Sequence, residues 1–329
     1  MEVAVLGGAG YIGSHTVKKL LDAGYSVTVI DNLRTGHIEA VDARASFKKG
    51  DMRDEEFLKR TFSETHFGAV MHFAASSLVG ESMGKPLEYY DNNVGGAISL
   101  IKAMVATDTD KIIFSSTAAV YGEPREIPIS ESSPTEPKNT YGETKLVMEN
   151  IFRRMSDIGK MRFVSLRYFN ACGADDSGRL GEAHNPETHL IPNVLAVANG
   201  NAREVSVFGG TYDTPDGTCI RDYIHVSDLA DAHILALSYL QKGGKSDIFN
   251  LGNGAGFSVS EVIESARRVT GCEIPQNIVL KRAGDPARLV ASSEKAKNIL
   301  GWTPLYTELD EIVGSAWVWH KLHPKGYEK

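Results

Sequence analysis

Seven residues near the start of the chain, Gly7-Gly8-Ala9-Gly10-Tyr11-Ile12-Gly13, constrain the fold more than any other stretch because of what flanks them. The apolar run Glu2-Val3-Ala4-Val5-Leu6 has strand character and leads straight into the glycines. A helical pattern follows from Tyr11 to Ala23, with Ile12, Val17, Leu20 and Leu21 apolar, and Gly24 stops it. Strand, glycine turn and helix together are the context a dinucleotide fingerprint requires. Gly7 permits the tight turn, Gly10 lets backbone approach a pyrophosphate, and Gly13 allows close helix–strand packing. The helix start at Tyr11 and Ile12 offers free N–H groups and a positive dipole end to phosphates. A second strand, Ser26 to Ile30, ends in Asp31, about 20 residues beyond the fingerprint. A carboxylate there accepts the ribose hydroxyls of NAD and repels the extra phosphate of NADP. Asn32 follows, and Arg34 is the one nearby residue that softens this preference.

The stretch Asn-Thr-Tyr-Gly-Glu-Thr-Lys places Tyr141 and Lys145 four apart at a helix start. Thr140 and Glu143 have capping-box spacing, and Val147, Met148, Ile151 and Phe152 supply an apolar stripe. Residues at i and i+4 share a helix face, so phenol and ammonium point into one pocket. A lysine charge favours the phenolate, and a tyrosine so tuned serves as a base near neutral pH. Moving a phenol from about 10 to about 7 requires roughly 4 kcal/mol, of which one ammonium in a partly dry site supplies a good share. Tyr-x-x-x-Lys alone also describes many solvated helix surfaces; its weight here comes from the fingerprint.

At 329 residues the chain exceeds one usual core, so a large domain with a smaller companion is expected. A net charge of −7, evenly spread, excludes an ordinary nucleic-acid binder. No stretch approaches the roughly 18 apolar residues of a membrane span. The first strand begins at residue 2, which leaves no room for a signal peptide. Cys172, Cys219 and Cys272 are widely spaced, lack metal spacing and read as free thiols in a reducing compartment, so the cytoplasm is the expected location.

Strands alternate with helices through the first half. Ala45–Lys49 leads to Asp51 and Met52, Ala69–Phe73 to Ala74 and Ala75, and Lys111–Phe114 to Ser115, Ser116 and Thr117. Helices are expected at Asp54–Thr65, Pro86–Thr107 and Tyr141–Met155, before a strand at Phe163–Arg167. This is the pattern of an α/β, doubly wound parallel sheet of Rossmann type, whose ligands bind at the carboxyl ends of the strands. Asp31, Asp51, Phe73, Thr117 and Tyr168 lie at or just after those ends and should ring one crevice. Past about residue 175 the alternation breaks down, with helices at Leu190–Asn199, Val226–Leu240, Ser258–Thr270 and Glu308–Leu322. Residues 1–175 therefore read as the dinucleotide-binding domain and 176–329 as a second, smaller mixed α/β substrate domain, with some segments crossing between them.

With these residues in place the chain resembles the extended short-chain dehydrogenase/reductase family over nearly its whole length. The markers are the glycine loop, His72-Phe73-Ala74-Ala75, Val79-Gly80-Glu81-Ser82, Tyr89-Tyr90-Asp91-Asn92-Asn93 and Ser115-Ser116-Thr117-Ala118-Ala119-Val120-Tyr121-Gly122. Tyr168-Phe169-Asn170, Arg221-Asp222-Tyr223-Ile224-His225-Val226 and the segment from Arg282 to Asp285 complete them and narrow the match to enzymes of nucleotide sugars. The resemblance implies interconversion of UDP-glucose and UDP-galactose through a transient 4-keto sugar on tightly held NAD. It implies that Tyr141 takes the proton of the sugar 4-hydroxyl, Thr117 hydrogen-bonds that oxygen, and Lys145 binds the nicotinamide ribose. Asp51, Met52, Phe73, Ala74, Ala75, Asn92 and Phe169 match cofactor contacts. Asn170, Leu190, Phe208 and Leu289 match contacts to the sugar nucleotide, Arg221 and Arg282 match diphosphate binders, and Asp285 matches a uridine-ribose acceptor. The partner is then a UDP-hexose, and a homodimer paired through the Pro86 and Tyr141 helices is expected.

Two departures stand out. Relatives often carry lysine where Ser77 stands, and tyrosine is frequent where Leu289 stands, which bears on acceptance of N-acetylated or uronic sugars. Rival chemistries are distinguishable at the site. Dehydratases of this fold need an Asp-Glu pair after the threonine, and UDP-glucuronate decarboxylases usually keep a glutamate there; Ala118 and Ala119 transfer no protons. A sensor that kept the fold and lost the chemistry has no need of Thr117, Tyr141 and Lys145 together. His72 reads as a packed core residue. His184, His189 and their acidic neighbours show no ligand spacing, and no metal is expected.

Overall fold

The computed structural model of the chain describes residues 1–282 and 285–327. Its centre is a parallel sheet of seven strands. Six come in sequence: β1 (Glu2–Leu6), β2 (Ser26–Asp31), β3 (Ser46–Lys49), β4 (Ala69–His72), β5 (Lys111–Ser115) and β6 (Arg162–Tyr168). The strand Asp247–Leu251 supplies the seventh, outside β6, giving the spatial order Asp247–Leu251, β6, β5, β4, β1, β2, β3. Strand order reverses between β1 and β4, and this switch point opens the crevice where such sheets bind ligands.

Both faces of the sheet are buried, which is why its strands are apolar without alternation. Val3, Val5, Val27 and Val29 pack on one side with Val17 and Leu20 of the helix Tyr11–Asp22. Ala4, Leu6, Ile30 and Val70 pack on the other with Leu58, Phe62, Leu100 and Phe152. Each large side chain so covered contributes about 1.5–3 kcal/mol, so the sheet is rigid enough to fix what stands at its edge.

The chain crosses back to this sheet late. The helix Val226–Gln241 lays Leu229, Ala236, Leu237 and Leu240 into the same core as Val17 and Leu20, and Asp247–Leu251 then pairs with β6 from Val164 to Tyr168. The remaining residues form a mixed layer. The helices Leu190–Ala198, Val259–Thr270 and Leu309–Leu322 enclose a third core that includes Ile191, Val262, Ile263 and Ile312. Three short sheets flank it, one of which joins Ile220–Arg221 to Arg288–Leu289 and Phe257–Ser258.

Two local expectations change. The cap of the helix Thr140–Asp157 is Asn139, whose side chain accepts from Gly142 N at 2.8 Å; Thr140 is already helical. Asparagine satisfies an orphan N–H as well as threonine does, so spacing alone misplaced the cap by one residue. The expected single helix Pro86–Thr107 is interrupted by a π-helical turn, Tyr90–Gly95. Such turns concentrate at functional sites, and this one carries Asn92 and Asn93 inward.

Candidate active site

The glycine turn is a cradle that side chains would fill. Gly7 has φ of +78°, and a Cβ there would stand 2.6 Å from Ala74 N. A Cβ on Gly13 would stand 2.1 Å from Gly7 O, so helix and turn meet backbone to backbone. A Cβ on Gly10 would meet only Gly7 O, at 3.3 Å, and Gly10 lines the open cleft together with Gly7. Tyr11 and Ile12 open the helix, and the Tyr11 hydroxyl donates to Gly173 O at 2.6 Å, tying the first layer to the second.

Asp31 closes β2 beside this cradle and is almost fully buried. Ala9 N and Leu33 N donate to its two oxygens at 3.0 and 2.8 Å, yet burial still lifts its carboxyl above the usual range. A buried carboxylate at the cleft wall gains from any hydroxyl that reaches it, as ribose hydroxyls would. Asn32 turns to Asp51 at 2.9 Å, and Arg53 holds Asp51 well below the usual carboxylate range. Met52, Phe73, Ala74, Ala75 and Asn92 line the same cleft. Ser77 lies there too, where a lysine was expected in relatives. Asn93, quoted in the sequence as part of a motif but given no role, locks the far wall: it accepts from Ser76 N at 2.8 Å and donates to Thr144 Oγ1 at 3.0 Å. These residues fit a dinucleotide.

Thr117, Tyr141 and Lys145 come together above the carboxyl end of β5. Thr117 caps the short helix Ala118–Tyr121, and its Oγ1 accepts from Ala119 N at 3.1 Å. The Lys145 ammonium donates to Ser115 O at 2.7 Å and lies 4.8 Å from the Phe114 ring centroid and 5.8 Å from that of Tyr141. Burial pulls Lys145 down to about 7, with Glu149, one turn along the helix, acting the other way. Burial pushes the Tyr141 phenol up to about 12, while its contact with Thr117 favours ionisation. The good share of the phenol's tuning expected from Lys145, with a second cation supplying the rest, is not delivered by these side chains alone. Desolvation of the phenolate is the larger influence on Tyr141, and the Lys145 ammonium stands 5.8 Å from its ring centroid.

Glu149 was not anticipated and belongs to the support of this set. Its carboxylate takes Ser116 Oγ at 2.5 Å and a two-point contact from Arg167, at 2.9 and 2.5 Å. Arg167 in turn reaches the Tyr121 hydroxyl at 2.9 Å, and Tyr121 donates to Asn250 at 2.7 Å. Buried charge of this kind persists only when paired, so the network holds the Lys145 helix against β5 and β6.

On the second-layer side, Arg221 forms an ion pair with Asp285, and Tyr212 donates to the same carboxylate at 3.1 Å. The Arg282 guanidinium lies 4.0 Å from the centroid of the half-exposed Phe208 ring. The two residues between Arg282 and Asp285 lie outside the described residues. Asn170 donates to Asp222 O at 3.1 Å. Phe169 and Leu289 pack on a small cluster of Ala118, Val120, Tyr121 and Ile129, which places Leu289 within reach of the Thr117 turn. Leu190 begins its helix against the third core. His72 is packed core: its ring lies 5.5 Å from that of Phe114, and burial lowers it to about 3.

One grouping is absent from the sequence spacing. Glu182, His184, Glu187 and His189 bring one ligand atom each to within 4.8 Å of one another.

A dinucleotide cradle beside a buried threonine and lysine and a half-buried tyrosine defines an enzyme of the class that oxidises an alcohol by removing hydride. Comparison with known proteins sharpens this. Residues 3–252 match the NAD dependent epimerase/dehydratase family, to which the chain belongs. The chain is 57% identical to a UDP-glucose 4-epimerase of Halalkalibacterium halodurans, covering 99% of this chain and 98% of that one. It is similar to a crystal structure of UDP-glucose 4-epimerase, with TM-score 0.98, 55% identity and full coverage of both chains. It also resembles the Bifidobacterium longum UDP-glucose 4-epimerase in complex with NAD+ and UDP, with TM-score 0.94, 41% identity and coverage of 99% and 100%.

Proposed function

We propose that this protein is an NAD-dependent UDP-glucose 4-epimerase, interconverting UDP-glucose and UDP-galactose. The observation that carries the reading is the buried Thr117 and Lys145 beside the half-buried Tyr141, with Ala118 and Ala119 following Thr117, in a chain alike over its full length to such epimerases. Without an acid or base after Thr117, this site moves one proton at one hydroxyl. That is enough for epimerisation and too little for dehydration.

NAD, when bound, supplies the acceptor and returning donor of hydride at sugar carbon 4, and a positive charge that eases ionisation of the phenol. Tyr141 takes the proton from the 4-hydroxyl as the alcohol becomes a ketone and returns it afterwards. Thr117 hydrogen-bonds the same oxygen and keeps it near the phenol. Lys145 binds the nicotinamide ribose, and its contact with Ser115 O holds it in place. Asp31 selects NAD by its ribose hydroxyls. Residues 1–175 carry the cofactor and 176–329 the sugar nucleotide, with 226–251 crossing back. Arg221 and Arg282 hold the diphosphate, so substrate must draw Arg221 from Asp285, which then accepts the uridine ribose.

The proposed partner surface is apolar and helical: Leu87 and Ile98 are exposed on the segment from Pro86 to Ala106, and Val79 and Met83 on the helix before it. A homodimer covers it. No helix among the described residues is long and apolar enough to cross a membrane, and the free cysteines suit the cytoplasm. The pure protein, given UDP-galactose and no added cofactor, should form UDP-glucose, read by a coupled dehydrogenase. Accumulation of a keto sugar with stoichiometric free NADH would instead make it a dehydrogenase.

A further inference from the structure

The segment from Glu182 to His189 gathers four metal-ligating side chains outside the catalytic set. Glu182 is buried, and both imidazoles converge on its Oε1: His184 Nδ1 stands 3.1 Å away, and His189 Nδ1 contacts the same oxygen. Glu187 completes the group, its carboxylate 3.6 Å from each of the two Nδ1 atoms.

The two imidazoles share one carboxylate oxygen, so each leaves part of its bonding capacity unused on that atom. His184 Nδ1 is buried, yet it has no aligned hydrogen-bond partner among the described residues. A nitrogen that faces a carboxylate oxygen without hydrogen-bond alignment has its lone pair free to point at a shared centre.

The dimensions suit a metal. Tetrahedral ligands at the usual zinc distances of about 2.0–2.2 Å lie roughly 3.3–3.5 Å apart. The separations of 3.1 and 3.6 Å bracket that edge, while His189 must draw back from Glu182 by about 1 Å and the widest pair, within 4.8 Å, must close for all four to share one ion. Two imidazoles with two carboxylates and no thiolate suit a borderline divalent ion; calcium and magnesium prefer oxygen alone.

We infer that Glu182, His184, Glu187 and His189 form a structural binding site for a divalent transition metal of the zinc class. Its position gives it a task. Asn185 and Pro186, between the ligands, line the dinucleotide cleft together with His184. His37, a few residues after Asp31, contacts Ala183 O at 2.8 Å through Nε2. A bound ion pins this wall of the cleft to the second layer.

The test uses the purified, cofactor-containing protein, stripped of metal by a chelator and then titrated with Zn2+ against a chromophoric competitor. One Zn2+ per chain should bind, and Co2+ should give the visible absorption of a tetrahedral site. His189→Ala and Glu187→Gln each remove one proposed ligand, and each should weaken binding by about 100-fold. Zn2+ should also raise the melting temperature of the wild type and leave both variants unmoved. The inference is overturned if the wild type binds no Zn2+ at 100-fold excess over protein, or if both substitutions leave affinity and thermal shift unchanged.

Discussion

Lys145, proposed above to bind the nicotinamide ribose, carries a buried charge that costs stability, and replacing it with methionine separates the two roles. Its ammonium is buried, and burial brings its pKa from 10.5 to about 7. Between those values the unfolded chain binds a proton that the folded chain resists, so folding stability rises with pH across this window. Each unit of pH contributes up to about 1.4 kcal/mol. At pH 7 the folded lysine is half protonated, and the penalty amounts to about 4 kcal/mol. Lys145→Met removes the penalty but leaves Ser115 O without its donor, a loss of about 1–3 kcal/mol. Glu149 keeps Arg167 and Ser116, so no charge is orphaned. The nucleotide-free variant should therefore be more stable than wild type at pH 7 by about 1–3 kcal/mol, although inactive. The sharper signature is the pH dependence. Urea unfolding of both proteins at pH 7 and pH 9 should show the difference shifting toward wild type by about 2 kcal/mol, because between these values only the unfolded lysine keeps its proton, and giving that proton up on folding costs less as pH rises. A difference that stays constant between pH 7 and 9 would refute the claim that burial depresses this lysine.

Tyr141→Phe keeps the ring and removes the base, so turnover should fall by at least about 10²–10⁴-fold while bound nucleotide survives denaturation-and-chromatography analysis; near-normal turnover sinks the assignment. Gly13→Ala places a Cβ 2.1 Å from Gly7 O, where only backbone can yield, so the purified variant should carry little nucleotide and melt lower. Full nucleotide content would show that the turn tolerates a side chain. Leu289→Tyr adds a hydroxyl-bearing ring beside Phe169 and Ala118 and should depress turnover of UDP-N-acetylglucosamine by about tenfold more than that of UDP-galactose. Equal losses on the two substrates would mean that Leu289 does not set the pocket size.

Local chemistry was legible in the sequence wherever neighbours in the chain are also neighbours in space. The strand before Gly7, the turn and the helix from Tyr11 lie within 25 residues, and glycine spacing states their backbone geometry directly. The shared face of Tyr141 and Lys145 follows from helical pitch, and Asp31 follows from the length of one strand–helix–strand unit. Tertiary structure decided what depends on distant surroundings. The strand Asp247–Leu251 carries no alternating context of its own and becomes part of the sheet only because β6 presents a free edge. Arg221 and Asp285 are 64 residues apart, and their pairing is invisible until Ile220–Arg221 and Arg288–Leu289 share a sheet. Glu182 meets His184 and His189 through a loop whose spacing follows no metal motif, because loop shape has no period to read. The pKa of Tyr141 shows the division most clearly. Sequence places the lysine one turn away, but the phenol responds to how much water the assembled site excludes, and exclusion is a property of the whole fold.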